Sequence, residues 1–176
     1  VPTDPPDPNH GVFDTAIKLY RDGWNVSMYN ENDVAGNGTG PALTNVLNAF
    51  NNQSISTFAI FGYSRGGGST HDLAAALAGA LPGVYSLSFA GYVDAVQNGG
   101  AFPETGTINS AAVHLNYYQG AAGTLGGAAV NATIPPPTGL DVLTTLWGAG
   151  ATHGTIDDLP QVKSAIINNL ETASFR

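Results

Sequence analysis

Apolar residues along this 176-residue chain follow two spacings, and each predicts its own kind of element. Helical spacing appears first at Val12–Asp22, where Val12, Phe13, Ala16, Ile17, Leu19 and Tyr20 form one side and Gly23 closes the segment. It returns over Pro41–Asn51, with Leu43, Val46, Leu47 and Phe50 on one face and Pro41 in the first turn. Asp157–Thr172 carries the clearest stripe, Leu159, Val162, Ile166 and Leu170, with Asp157 or Asp158 placed to cap it. Residues 70–81 predict a further helix, whose alanines (Ala74, Ala75, Ala76, Ala78, Ala80) allow close approach to a sheet before Pro82-Gly83 stops it.

The second spacing is the short continuous apolar run. Thr57–Phe61 and Val84–Ala90 read as strands buried on both faces, as in a parallel sheet. Ala111–Tyr118 reads as the last strand and Trp24–Tyr29 as a short one. The remaining segments read as connections. Asn30–Gly40 and Gln97–Asn109 are loops by composition. Gly120–Gly139, with Pro135, Pro136 and Pro137, cannot form a regular element, and Leu140–Trp147 reads as a short helix or turn. Residues 1–10, with Pro2, Pro5, Pro6 and Pro8, read as an extended linker left by processing or excision. With no internal repeat and no second boundary, residues 11–176 are expected to form a single domain. Its alternating strands and helices predict an α/β fold: a compact, doubly wound, mostly parallel sheet. Sites in such sheets lie at the carboxyl ends of the strands, where Ser64, Asp94 and the Asn30–Gly40 loop are expected.

Composition narrows the function classes. Hydrophobic residues make up 43% and charged residues 10%, which fits a globular chain, and no apolar run approaches the roughly 18 residues of a membrane span. The net charge of −8, from 13 acidic against 5 basic residues, argues against a nucleic-acid partner because phosphates would go unneutralised. With no cysteine there is no disulfide, thiolate metal site or cysteine nucleophile. The histidines lack metal-ligand spacing, Asn30–Gly40 lacks a calcium-loop pattern, and Gly62–Ser69 lacks the Lys-Ser/Thr ending of a phosphate loop. Neither a cofactor nor a metal is therefore expected. The low lysine content and the Asn, Gly, Thr and Ala bias lean toward an exported bacterial protein. Asn25, Asn37, Asn52 and Asn131 begin glycosylation triplets that matter only in a glycosylating source.

Gly62-Tyr63-Ser64-Arg65-Gly66 carries the chemistry, lying between a buried strand and a helix. A serine in a sharp strand-to-helix turn projects its hydroxyl above the sheet, and flanking glycines suit a backbone that is strained and closely approached. Serine needs a base, normally a histidine held by a carboxylate, in the chain order Ser, Asp/Glu, His. His153, in a loop just before the last helix, is the expected base. His71 reads as a polar helix residue paired with Asp72 or solvent, His114 as a satisfied core histidine, and His10 as a surface residue. Asp94, directly after a buried strand, is the expected orienting acid, with Asp141 as an alternative in the same order. The backbone N–H of Arg65 is one expected oxyanion donor. The Asn30–Gly40 loop is a positional candidate for the second. The Arg65 side chain reads either as a partner for a nearby carboxylate or as a contact for an acidic substrate group.

With this elbow and the ordered Asp94 and His153, the chain resembles the α/β-hydrolase superfamily, specifically lipase- and esterase-like members whose elbow reads Gly-(Phe/Tyr)-Ser-Arg-Gly. The resemblance runs from about Trp24 to the final helix, strongest at Gly62–Gly67, Gly91–Asp94 and His153. It implies a minimal three-layer hydrolase-like sandwich, a Ser64–Asp94–His153 triad and hydrolysis of carboxylic esters without a cofactor. In that family a further strand precedes the first helix, and its loop carries the second oxyanion donor. Residues 1–10 are too rich in proline to be that strand, so either the sheet is trimmed or that piece lies outside this chain. The expected substrate is a small-molecule, lipid or polymer-borne ester met by a monomer with a shallow site. A phospholipase or acyltransferase of the same fold, or a non-catalytic binding module, are the alternatives.

Overall fold

The computed structural model describes residues 11–120, 126–130, 141–143 and 151–174. Helix α1 (Gly11–Arg21) is followed by a 3-10 turn (Glu31–Asp33), α2 (Pro41–Gln53), β1 (Thr57–Tyr63), α3 (Arg65–Ala80), β2 (Ser86–Val93), β3 (Ala111–Tyr118), the two-residue β4 (Val142–Leu143) and α4 (Pro160–Ser174). The strands form one parallel sheet in the order β1-β2-β3-β4.

Apolar faces explain the layering. Phe89 and Val93 of β2 join Leu115 and Tyr117 of β3 against Leu19 of α1 and Val162, Ile166 and Leu170 of α4. The opposite face, with Ala90 and Tyr92, packs on Ala74 of α3. Helix α2 covers α3 through Leu73, Leu77 and Leu81. The chain is therefore α/β, with helices on both faces of a parallel sheet. Register shifts between Phe58 and Ala59 of β1, which puts Phe58 opposite Leu87 but Ala59 opposite Phe89. Ser88 is the extra residue, and its hydroxyl donates to the Phe58 carbonyl (3.1 Å). Leu87 and Phe89, two apart in sequence, accordingly belong to opposite core clusters.

Several expectations change here. Trp24–Tyr29 forms no ladder among the described residues, although Trp24 and Val26 are half-buried between exposed neighbours. Ala111–Tyr118 is not the last strand: β4 follows it, and Val142–Leu143, expected within a helix or turn, is extended. Residues 144–147 of that segment, most of Gly120–Gly139, and residues 1–10 including His10 lie outside the described residues. Helix α3 begins at Arg65, well ahead of residue 70, because its glycines serve packing: a Cβ at Gly67 or Gly68 would collide with Ala95 or with the Val96–Asn98 backbone. Among the described residues, no helix is long and apolar enough to cross a membrane.

Candidate active site

Ser64 ends β1 and begins α3 with φ 54° and ψ −126°, a conformation that non-glycine residues rarely adopt. Hydrogen bonds fix it from both sides: its N–H donates to the Val93 carbonyl (3.0 Å), and its carbonyl accepts from Val96 (2.8 Å) and Gly67 (3.0 Å). Gly62 is required sterically, since a Cβ there would overlap the Gly66 carbonyl. Gly66 is not, because a Cβ would meet nothing within 4 Å; Gly67 is the tightly packed glycine on the helix side. The expectation that both glycines of the pattern are crowded thus holds for the first alone.

Asp94 sits one residue past β2, also with positive φ (48°), and is fully buried. A buried carboxylate is costly unless every lone pair is met. Its Oδ1 accepts from the N–H groups of Gly127 (2.8 Å) and Gln119 (3.2 Å), and its Oδ2 lies 2.7 Å from His153 Nδ1. The other ring nitrogen of His153, Nε2, lies 2.9 Å from Ser64 Oγ. Because an ionised carboxylate can only accept, the proton belongs on Nδ1, leaving the Nε2 lone pair to receive the serine proton. Residues 59 and 89 positions apart in sequence are thus brought into one line of hydrogen bonds.

Tyr63 is a further site residue, overlooked because its position in the elbow pattern accepts any residue. Its hydroxyl donates to the His153 carbonyl, and its ring lies 5.2 Å from the imidazole at 32°. Burial, reinforced by Asp157, Asp94 and Asp158, pushes its pKa up to about 12, so it remains a protonated donor. Gly127 is a second such residue: its amide meets Asp94 from a segment without periodicity.

The other candidates fall elsewhere. Asp141 Oδ1 accepts from Asn116 Nδ2 (2.7 Å) and the Val130 N–H (3.0 Å), tying residues 126–130 to β3. His71 faces Asp72 (3.5 Å). His114 is fully buried, accepts from the Ile108 N–H at Nδ1 (3.3 Å) and packs edge-on against Tyr92. Burial lowers its pKa to about 4. Asp157 does not cap α4: its Oδ2 accepts from the Gly11 N–H (3.1 Å) at the start of α1. Burial, then the charge of Asp158, raises its pKa.

The backbone N–H of Arg65 lies in the first turn of α3, where helix amides have no partner within the helix. The Arg65 side chain is exposed and makes no ion pair among the described residues. The Asn30–Gly40 loop lies against the flank of α3. Glu31 accepts from Ser69 (3.2 Å), Val34 from Asn98 (2.9 Å), and Gly38 abuts Asp72 and Ala76. Gly38 therefore sits two to three turns of α3 beyond Ser64, out of reach of an oxyanion there.

No protein-family model matches the chain, and neither a curated protein nor a solved structure matches it.

Proposed function

We propose that this protein is a serine hydrolase of α/β-hydrolase type that cleaves carboxylic esters through an acyl-Ser64 intermediate. The observation that carries the reading is the Ser64–His153–Asp94 chain of hydrogen bonds, 2.9 and 2.7 Å long, on a strained strand-to-helix turn. His153 Nε2 takes the hydroxyl proton as Oγ attacks the ester carbonyl carbon, and Asp94 holds the imidazolium that forms. Negative charge on the former carbonyl oxygen is met by the Arg65 N–H and the positive end of α3. Collapse breaks the ester C–O bond, and His153 returns its proton to the leaving alcohol. Water then repeats the sequence on the acyl-enzyme and restores Ser64. Tyr63 holds the His153 backbone and ring so that Nε2 stays on line.

Phospholipase and acyl-transfer readings share this acyl-enzyme and differ only in the acyl donor or the final acceptor. Turnover of p-nitrophenyl acetate and butyrate tests the common step. Ser64→Ala is expected to fold normally and to lose at least about a thousandfold in kcat/KM. Equal turnover by the variant and the parent would refute the assignment.

A further inference from the structure

Asp94 is held by two backbone donors that owe their positions to different parts of the fold. Gln119 directly follows β3, so the sheet itself places the N–H that reaches Asp94 Oδ1 at 3.2 Å. The shorter bond, 2.8 Å, comes from Gly127, within residues 126–130, which form neither helix nor strand. Gly-Gly-Ala-Ala-Val offers few side chains with which to anchor such a strap, and its two glycines serve close approach. A Cβ on Gly126 (φ 149°) would strike Asp94 Oδ2, the oxygen that faces His153. One on Gly127 would come within 3.0 Å of the Asp94 and Ala95 backbone. The strap lies directly on the carboxylate.

A polar bridge from β3 keeps it there. Asn116 is fully buried, paired with Tyr92 of β2, and its side-chain nitrogen donates both to the Ala128 carbonyl (2.8 Å) and to Asp141 Oδ1 (2.7 Å). The same Asp141 oxygen accepts from the Val130 N–H (3.0 Å), while the Val130 side chain is buried in the cluster around Tyr92. Asn116 and Asp141 therefore hold the strap at Ala128 and Val130, just beyond the amide that meets Asp94. Asp141 itself is exposed, next to β4. A line of hydrogen bonds thus runs from an exposed carboxylate, through the strap, to the buried one.

We propose that Asp141 and Asn116 are positioning residues for the triad acid: they hold residues 126–130 so that Gly127 donates to Asp94 and covers it from water. A buried carboxylate that loses this donor and meets water holds the imidazolium less well, and a displaced ring no longer aims Nε2 at Ser64 Oγ. The catalytic consequence rests on the hydrolase reading; the hold of the strap on Asp94 does not. This role also differs from the one that chain order alone left open for Asp141, that of the triad acid itself. The two respond differently to substitution. A triad acid needs its charge, whereas a positioning residue here needs only an oxygen that accepts two hydrogen bonds, which asparagine retains.

The test compares Asp141→Ala, Asp141→Asn and Asn116→Ala with the parent in p-nitrophenyl butyrate turnover and in the rate of fluorophosphonate labelling at Ser64. Asp141→Ala and Asn116→Ala are expected to lower kcat and the labelling rate roughly ten- to a hundredfold with KM within about twofold, and Asp141→Asn to stay within about threefold of the parent. In an Asp94→Asn background, Asp141→Ala should cost nothing further, because its effect passes through that carboxylate. Full activity in Asp141→Ala, a loss in Asp141→Asn as deep as in Asp141→Ala, or additive losses with Asp94→Asn would each overturn the proposal. NMR adds readouts that need no turnover. In the parent, the Gly127 amide should be protected from hydrogen exchange, and the low-field His153 Nδ1–H resonance should persist in Asp141→Asn but broaden or vanish in Asp141→Ala. Rapid Gly127 exchange in the parent overturns the proposal even if the variants fail to fold. Protected Gly127 in a parent whose Ser64 stays unlabelled refutes the hydrolase reading and leaves the strap's hold on Asp94 standing.

Discussion

Asp94 shows most clearly how single atoms set the chemistry. Its Oδ1 is held by two backbone amides and its Oδ2 by His153, so the carboxylate fixes both the ring orientation and the position of the ring proton. Asp94→Asn keeps the shape but presents an amide that can donate to Nδ1, favouring the wrong tautomer. The expected outcome is a fall in ester kcat of about 10³–10⁴ with little change in KM, read by steady-state kinetics. Tyr63→Phe removes only the bond to the His153 carbonyl, and a loss of about tenfold is expected. The two glycines of the elbow should also separate. Gly66→Ala is expected to be tolerated, because its Cβ would enter open space. Gly62→Ala should abolish activity and cost about 2 kcal/mol or more in urea unfolding, because its Cβ strikes the Gly66 carbonyl.

Among the elements, helix ends carry the informative contacts. Asp157 ties the loop before α4 to the first turn of α1, and so braces the segment that delivers His153. Asp157→Ala should cost about 1 kcal/mol, a fall of roughly 2–4 °C in Tm by calorimetry. Asp158→Ala should leave Tm unchanged or raise it, since Asp158 Oδ1 is buried without a hydrogen-bond partner among the described residues. The sequence made much of this scale legible. Helical spacing located α1, α2 and α4, and continuous apolar runs located β1, β2 and β3 with shifts of a few residues. Ser64, Asp94 and His153 were legible because the strand-to-helix turn, the strand end and the loop before the last helix are local features. What escaped was tertiary. The glycines at the start of α3 look like a loop until Ala95 and Val96 are packed on them. Asp157 looks like a cap for the nearest helix until the fold brings α1 beside it. Residues 24–29 carry a strand's alternation, but a ladder needs a neighbour at hydrogen-bonding distance, and spacing along one segment cannot reveal whether it exists.

Across the whole molecule, stability and the candidate site depend on the same parallel sheet. His114 of β3 is fully buried, edge-on against Tyr92 of β2, with its pKa lowered from 6.5 to about 4 by burial. The unfolded chain therefore binds this proton more readily than the folded one between these values. The contribution is fully present above about pH 6.5 and is lost as pH falls toward 4, amounting to about 3 kcal/mol. Urea unfolding of the parent at pH 7 and pH 4.5 should show this loss, and His114→Gln should flatten the dependence whatever its own stability. The sheet also unites Ser64, Asp94 and His153 from three separate parts of the chain. Under the proposed function, this union makes Ser64 a working nucleophile. Incubation with a fluorophosphonate, followed by intact-mass and peptide mass spectrometry, tests it most directly. One phosphonyl group per chain is expected, on Ser64, with labelling abolished in His153→Ala. A folded protein that stays unlabelled, or one labelled at another serine, would contradict it.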